Sequence, residues 1–213
     1  MKLDSIIFDL DGTLWDSTRS VVEAWNDTLE NYDEVRSKLT IEDMGSIMGL
    51  VIKDVSLKLF PYLEAENGLE IVKECCVNEC AHLEKYGATL YENLEKVLNV
   101  LNQRYQLFIV SNCQSGYIES FFKSHQLEKY FKDYESAGGT GLTKGENIKL
   151  IMNRNNLVNS IYVGDTLGDK EAADYAGIPF VYAKYGFGEV EGCEYVMDRF
   201  EDILQFVQFT GIE

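Results

Sequence analysis

Proline is almost missing from this chain, with two in 213 residues, and glycine at 17 is near average. With 46% hydrophobic residues, this excludes collagen-like, low-complexity and largely disordered chains. Positive charge is also scarce. The chain has 19 Lys and Arg against 36 Asp and Glu, a net charge of −17. Such a surface repels phosphate backbones and anionic lipid, so neither nucleic acid nor a membrane is the expected partner. No acidic tail or basic arm separates from the body, so the excess reads as a solubilising surface. The five cysteines are an odd number, and Cys75, Cys76 and Cys80 crowd into one expected helix. That is a poor disulfide framework, and a reduced, cytoplasmic setting is expected. Long apolar runs are lacking too. Asp9 interrupts the first, so the start reads as neither a signal peptide nor a membrane span.

What is present is alternation. At about 150 residues per domain, the length suits one large domain or one domain with a modest insertion. Four short runs read as strands buried on both faces: Ser5-Ile6-Ile7-Phe8, Leu107-Phe108-Ile109-Val110, Ile161-Tyr162-Val163 and Phe180-Val181-Tyr182-Ala183. A weaker run lies near 134–137. Helical patterns at 91–104, 116–125, 144–155 and 168–176 separate them, and Gly177 fits the position just past a helix end. This predicts an α/β fold, a doubly wound Rossmann-like parallel sheet. The interval 17–86 breaks the alternation. It has no convincing strand and reads as roughly four helices, one opened by Thr40 as N-cap with Asp43 three residues on. The expected division is therefore an α/β core of 1–16 and 87–213 carrying a helical insertion of 17–86.

Two of the strand ends are acidic. Asp9-Leu10-Asp11-Gly12-Thr13 follows the first strand, and Gly164-Asp165-Thr166-Leu167-Gly168-Asp169 follows another. Alone, the first could be a turn signal, because Asp and Gly favour turns. Open α/β sheets, however, bind ligands at the carboxyl ends of their strands. Four acids gathered there would repel one another without a cation. Oxygen ligands with no neighbouring His or Cys select a hard ion, most plausibly Mg²⁺. Two other places have the opposite character: Ser111-Asn112 at a strand end, and Lys144 opening a helix after Gly138-Gly139-Thr140-Gly141. Acids, a cation, a hydroxyl and a lysine together make a phosphate site.

In this order, Asp9 to Thr13, Ser111-Asn112, Lys144 and Gly164 to Asp169 resemble the four motifs of the haloacid dehalogenase-like hydrolases. The helical insertion after the first motif is similar to the small helical cap of the phosphoglycolate phosphatase-like branch. The resemblance covers essentially the whole chain. It implies a Mg²⁺-dependent phosphatase acting on a small phosphorylated metabolite through an aspartyl-phosphate. Asp9 would be the nucleophile and Asp11 the acid/base. Ser111 and Asn112 would hold the phosphate together with Lys144. Asp9, Asp165 and the backbone carbonyl of Asp11 would bind the metal, and Asp169 would hold a metal-bound water or orient Lys144. For Asp9 and Asp11 to act together the chain must turn after Leu10, which Gly12 permits. The helical segment would be a lid that sets specificity. A monomer or homodimer is expected. Two departures stand out: Gly145 follows Lys144 where relatives often have proline, and Tyr91-Glu92-Asn93 stands where many have Pro-Gly.

Rival readings remain at this stage. A phosphomutase of the β-phosphoglucomutase type shares the motifs but returns the phosphoryl group to sugar. A non-catalytic protein that senses a phosphorylated metabolite would keep the same acids. Cys76, Cys80 and His82 share one helix but read as packing rather than zinc ligands. Met44 and Met48 read as packing of the helical segment. Cys113 reads as a bystander thiol, with oxidation-sensitive inhibition as the functional alternative. Gly186-Phe187-Gly188 reads either as an edge of the site or as an ordinary turn.

Overall fold

A computed structural model describes residues 3–209. The chain runs β1 (Ser5–Phe8), β2 (Trp15–Asp16), α1 (Thr18–Leu29), α2 (Ile41–Gly45), α3 (Ile52–Leu59), α4 (Ala65–Tyr86) and β3 (Thr89–Leu90). Then come α5 (Leu94–Leu101), β4 (Gln106–Ser111), α6 (Tyr117–His125), β5 (Asp133–Ser136), α7 (Ala137–Thr140) and α8 (Lys144–Arg154). The last part is β6 (Ser160–Gly164), α9 (Leu167–Ala176), β7 (Phe180–Ala183), β8 (Tyr195–Met197) and α10 (Ile203–Phe209).

Six strands form one sheet in the order β5-β4-β1-β6-β7-β8, with every neighbouring pair parallel. β1 is buried on both faces. Ile6 and Phe8 join one apolar cluster with α5 and α6, while Ile7 joins another with α8 and α9. The sheet is therefore covered on both sides, which is why its inner strands are apolar without alternation. The chain leaves β1 and returns first to β4 on one flank, later to β6 on the other. Their carboxyl ends meet at this switch point, where such sheets form crevices.

The four strong strands lie where the sequence places them, extended by a residue or two for β4 and β6. The helix expected over 91–104 is shorter. Asn93 takes a left-handed conformation (φ 60°) and the helix starts only at Leu94. Asparagine tolerates that region better than most residues. Its side chain donates to Glu201 at 2.8 Å. The glycines before Lys144 form the single turn α7, capped by Ser136 and ended by Gly141.

Between β2 and β3 the described residues contain helices only, α1 packing on α4 and α4 on α3. The Thr40–Asp43 capping box is formed as expected. The two chain segments that enter and leave this helical stretch pair antiparallel, Trp15 with Leu90 and Asp16 with Thr89. α4 also leans on α6, where Ser120 Oγ donates to the Cys80 carbonyl at 3.0 Å.

Candidate active site

Asp9 is the first residue beyond β1, and its N–H donates to the Val163 carbonyl at 2.8 Å, continuing the pairing with β6. The chain then turns. The Leu10 carbonyl accepts from the N–H of Leu14 at 2.8 Å, and Gly12 takes φ 76°. A Cβ on Gly12 would lie 2.2 Å from Asp165 Oδ2, so only glycine lets the two acidic loops approach this closely. The turn swings Asp11 toward the same space as Asp9, and both side chains line one cavity.

The Asp11 carboxyl is held through one oxygen. Its Oδ1 accepts from Ser17 Oγ at 2.5 Å, Trp15 Nε1 at 2.8 Å and the Tyr117 hydroxyl at 2.8 Å. Burial raises its pKa, and these three donors oppose the rise. Trp15, Ser17 and Tyr117 were not singled out in the sequence. For Ser17 and Trp15 a signal existed, since polar groups so close after the acidic turn are placed to fold back on it. Tyr117 arrives from α6, about a hundred residues later, and had none.

Lys144 opens α8 behind a capping box of Thr143 and Glu146. Its Nζ lies 2.5 Å from Asp169 Oδ1 and 3.0 Å from Asp9 Oδ1. All three side chains are buried. Burial lowers the lysine pKa, but Asp169 and Asp9 more than reverse this and hold it above its ordinary value. Asp169 is saturated. Its Oδ2 accepts from Asp165 N at 3.1 Å, Thr166 N at 2.9 Å and Thr166 Oγ1 at 2.7 Å, while Oδ1 faces the lysine.

Asp9 and Asp165 are different. Asp9 Oδ1 meets Lys144 at ion-pair distance but without hydrogen-bond alignment, and Asp165 Oδ1 has no donor at all. Asp165 Oδ2 accepts from Phe187 N at 2.7 Å, which places Gly186-Phe187-Gly188 at the edge of the site. Burial pushes Asp9 well above the usual carboxylate range, reinforced by Asp169, with Lys144 opposing. Burial and Asp169 push Asp165 to about 7. One oxygen from each of Asp9, Asp165 and Asp169 lies within 4.8 Å of the others. The buried Asp165 Oδ1 without a donor is costly unless a cation satisfies it, and Asp9 Oδ1 beside it has only the lysine. An all-oxygen set of this kind suits a hard divalent ion such as Mg²⁺.

Ser111 ends β4 with its side chain buried at the cavity floor. Asn112 also lines the cavity, but its side-chain amide donates to the Gly49 carbonyl at 2.8 Å, a tie to the helical stretch. Cys76 and Cys80 do not meet His82 at a metal site. Among the described residues the only metal-capable cluster is the aspartate group. Burial and the Asp11 charge push the Cys113 thiol well above its ordinary value, which disfavours the reactive thiolate. Among the same residues no helix is long and apolar enough to cross a membrane.

The fold and the site define a class. The haloacid dehalogenase-like hydrolase family model matches residues 6–183, and the chain belongs to that family. A phosphoglycolate phosphatase of Aliivibrio fischeri is 26% identical over 198 residues, covering 87% of this chain and 86% of its own. One from Photobacterium profundum is 24% identical, with 96% of each chain covered. Among solved structures, a predicted phosphoglycolate phosphatase from Haemophilus somnus superposes with a TM-score of 0.84 at 21% identity, covering 98% of this chain and 99% of that one. A β-phosphoglucomutase from Clostridium difficile superposes with a TM-score of 0.76 at 14% identity, covering 97% and 96%. Likeness at that distance establishes the shared fold.

Proposed function

We propose that this hydrolase is a phosphatase of small phosphate monoesters that works through an aspartyl-phosphate on Asp9. The class includes phosphoglycolate, after which the two relatives are named. The observation that carries the proposal is the buried aspartate cluster of Asp9, Asp165 and Asp169, in which Asp165 Oδ1 has no donor and Asp9 Oδ1 meets only Lys144.

Asp9 and Asp165, with the backbone carbonyl of Asp11, are the residues that would hold Mg²⁺. Bound there, the ion would neutralise the crowded acids and draw charge from the phosphoryl oxygens. Lys144 adds a fixed positive charge, and Asp169 fixes the lysine. The Ser111 hydroxyl and the Asn112 N–H offer donors to the phosphoryl group. An Asp9 oxygen attacks phosphorus and the ester P–O bond breaks. Asp11 gives its proton to the departing alkoxide. Asp11 then takes a proton from water, whose oxygen attacks the same phosphorus, releasing inorganic phosphate and restoring Asp9. With Oδ1 occupied by three donors, the transferable proton belongs on Oδ2. Most of the rate enhancement comes from positioning and charge.

The division into a core of 1–16 and 87–213 and a cap of 17–86 belongs to the same reading. It is supported by the β2–β3 pairing, which puts both chain crossings side by side. A cap that closes over the cavity would exclude water from the intermediate. The test is phosphate release from an aryl phosphate. Activity should require a divalent cation, vanish with chelator, and fall by at least ~10³-fold in Asp9→Asn. Retained activity in that variant would refute the nucleophile.

A further inference from the structure

A cavity with an open mouth lies above Asp9 and Asp11. Its roof is apolar, built from Trp25, Met44, Ile47, Met48, Val55 and Val72. Among the described residues lining it there is no Arg, Lys or His. Lys144 is engaged below by Asp9 and Asp169. One ionisable group interrupts the roof. Glu79 of α4 is only 4% exposed, lines the cavity, and accepts from Trp25 Nε1 at 2.5 Å.

From this we infer that the substrate is a phosphate monoester of an uncharged, largely apolar alcohol that carries a hydroxyl away from the phosphate, which Glu79 recognises. The inference rests on the phosphatase reading and narrows it. A leaving group with a carboxylate, as in phosphoglycolate, would be desolvated here with no Arg, Lys or His in the described lining to meet it. Methylene groups, by contrast, suit the Met, Ile and Val roof. A hydroxyl can both donate to and accept from a buried carboxyl, which is otherwise costly to keep in an apolar wall. Burial pushes Glu79 to about 8, with the Asp11 charge adding to the rise, so near neutral pH it faces the cavity mostly as the uncharged acid. The Trp25 N–H and the Gln114 side chain hold the group, and both oppose the rise.

The experiment compares kcat/KM, with Mg²⁺, for four esters: 2-phosphoglycolate, 2-hydroxyethyl phosphate, n-butyl phosphate and 4-hydroxybutyl phosphate. An aryl phosphate reports whether the enzyme hydrolyses monoesters at all. 2-Hydroxyethyl phosphate differs from phosphoglycolate only in bearing a hydroxymethyl in place of the carboxylate, and it should be preferred by ~10-fold or more. 4-Hydroxybutyl phosphate should exceed butyl phosphate by roughly threefold or more. In Glu79→Leu the second ratio should collapse toward one. Preference for phosphoglycolate, alongside good aryl phosphate turnover, overturns this inference and leaves the phosphatase reading standing. So does a second ratio near one in the unaltered enzyme, a measurement that does not depend on the variant folding. No release from any ester, the aryl phosphate included, overturns both.

Discussion

Glu79 ties the stability of the helical stretch to pH. Its pKa is about 8 when folded against an ordinary 4.5, because burial disfavours the charge. The folded chain thus binds the proton more tightly than the unfolded chain. This contribution is fully present below about 4.5 and is lost as pH rises through about 8. Glu79→Gln keeps an acceptor for Trp25 and cannot ionise. Thermal melts should show the wild type losing ground to this variant between these pH values, with a constant difference above them. A pH-independent difference would mean that the carboxyl is ionised in the fold. At this scale the sequence displays which side chains meet. Asp9, Asp11, Ser111, Lys144, Asp165 and Asp169 gather around one crevice, because short motifs at strand ends need only the sheet order to meet. Glu79 was harder to see. It falls on the buried stripe of α4 with Val72, Cys76 and Leu83, and an acid at such a position was the signal. Tyr117 could not be seen, since nothing local says which face of α6 looks toward Asp11.

Helix α9 joins folding to the site. Its N-cap, Thr166, accepts from Asp169 N, and the Asp169 side chain returns to the Thr166 N–H. The carboxylate that caps the helix also faces Lys144, so the cap and the lysine share one support. Thr166→Ala should cost about 1 kcal/mol, a fall of ~2–4 °C in Tm for a chain of this size. It should also lower kcat more than KM is altered, because Asp169 loses the hydroxyl that steadies it. Equal kcat in the variant would separate the cap from the site. Buried parallel strands were legible because they are continuous β-branched and aromatic runs. β2, β3 and β8 were not, being two or three residues long with no period to read. Helix ends were set by particular residues: Asn93 in its left-handed turn delayed α5, and Gly177 ended α9 as expected. Gly145 has a local reason. A Cβ there would lie 2.7 Å from the Tyr175 ring.

Across the whole molecule the net charge of −17 opposes the approach of an anionic substrate. Raising salt from ~10 to ~150 mM shortens the Debye length to about 8 Å and should increase kcat/KM for a phosphate monoester. The usual fall with salt would mean that a local positive field outweighs the global one. At this scale the sequence displayed the covered sheet and the run of helices between β2 and β3, but not how those helices meet the site. That depends on contacts distant in sequence, such as Asn112 to the Gly49 carbonyl and α4 against α6. On the proposed reading, the sheet, the acids and the lysine together would provide an aspartate able to take the phosphoryl group. Turnover with Mg²⁺ can be stopped in acid, the protein reduced with borohydride, and the peptide containing position 9 analysed by mass spectrometry. An aspartyl-phosphate on Asp9 is reduced to homoserine, and that conversion should occur only with substrate and metal present. Continued phosphate release with Asp9 unmodified, or homoserine at another aspartate, would contradict the account.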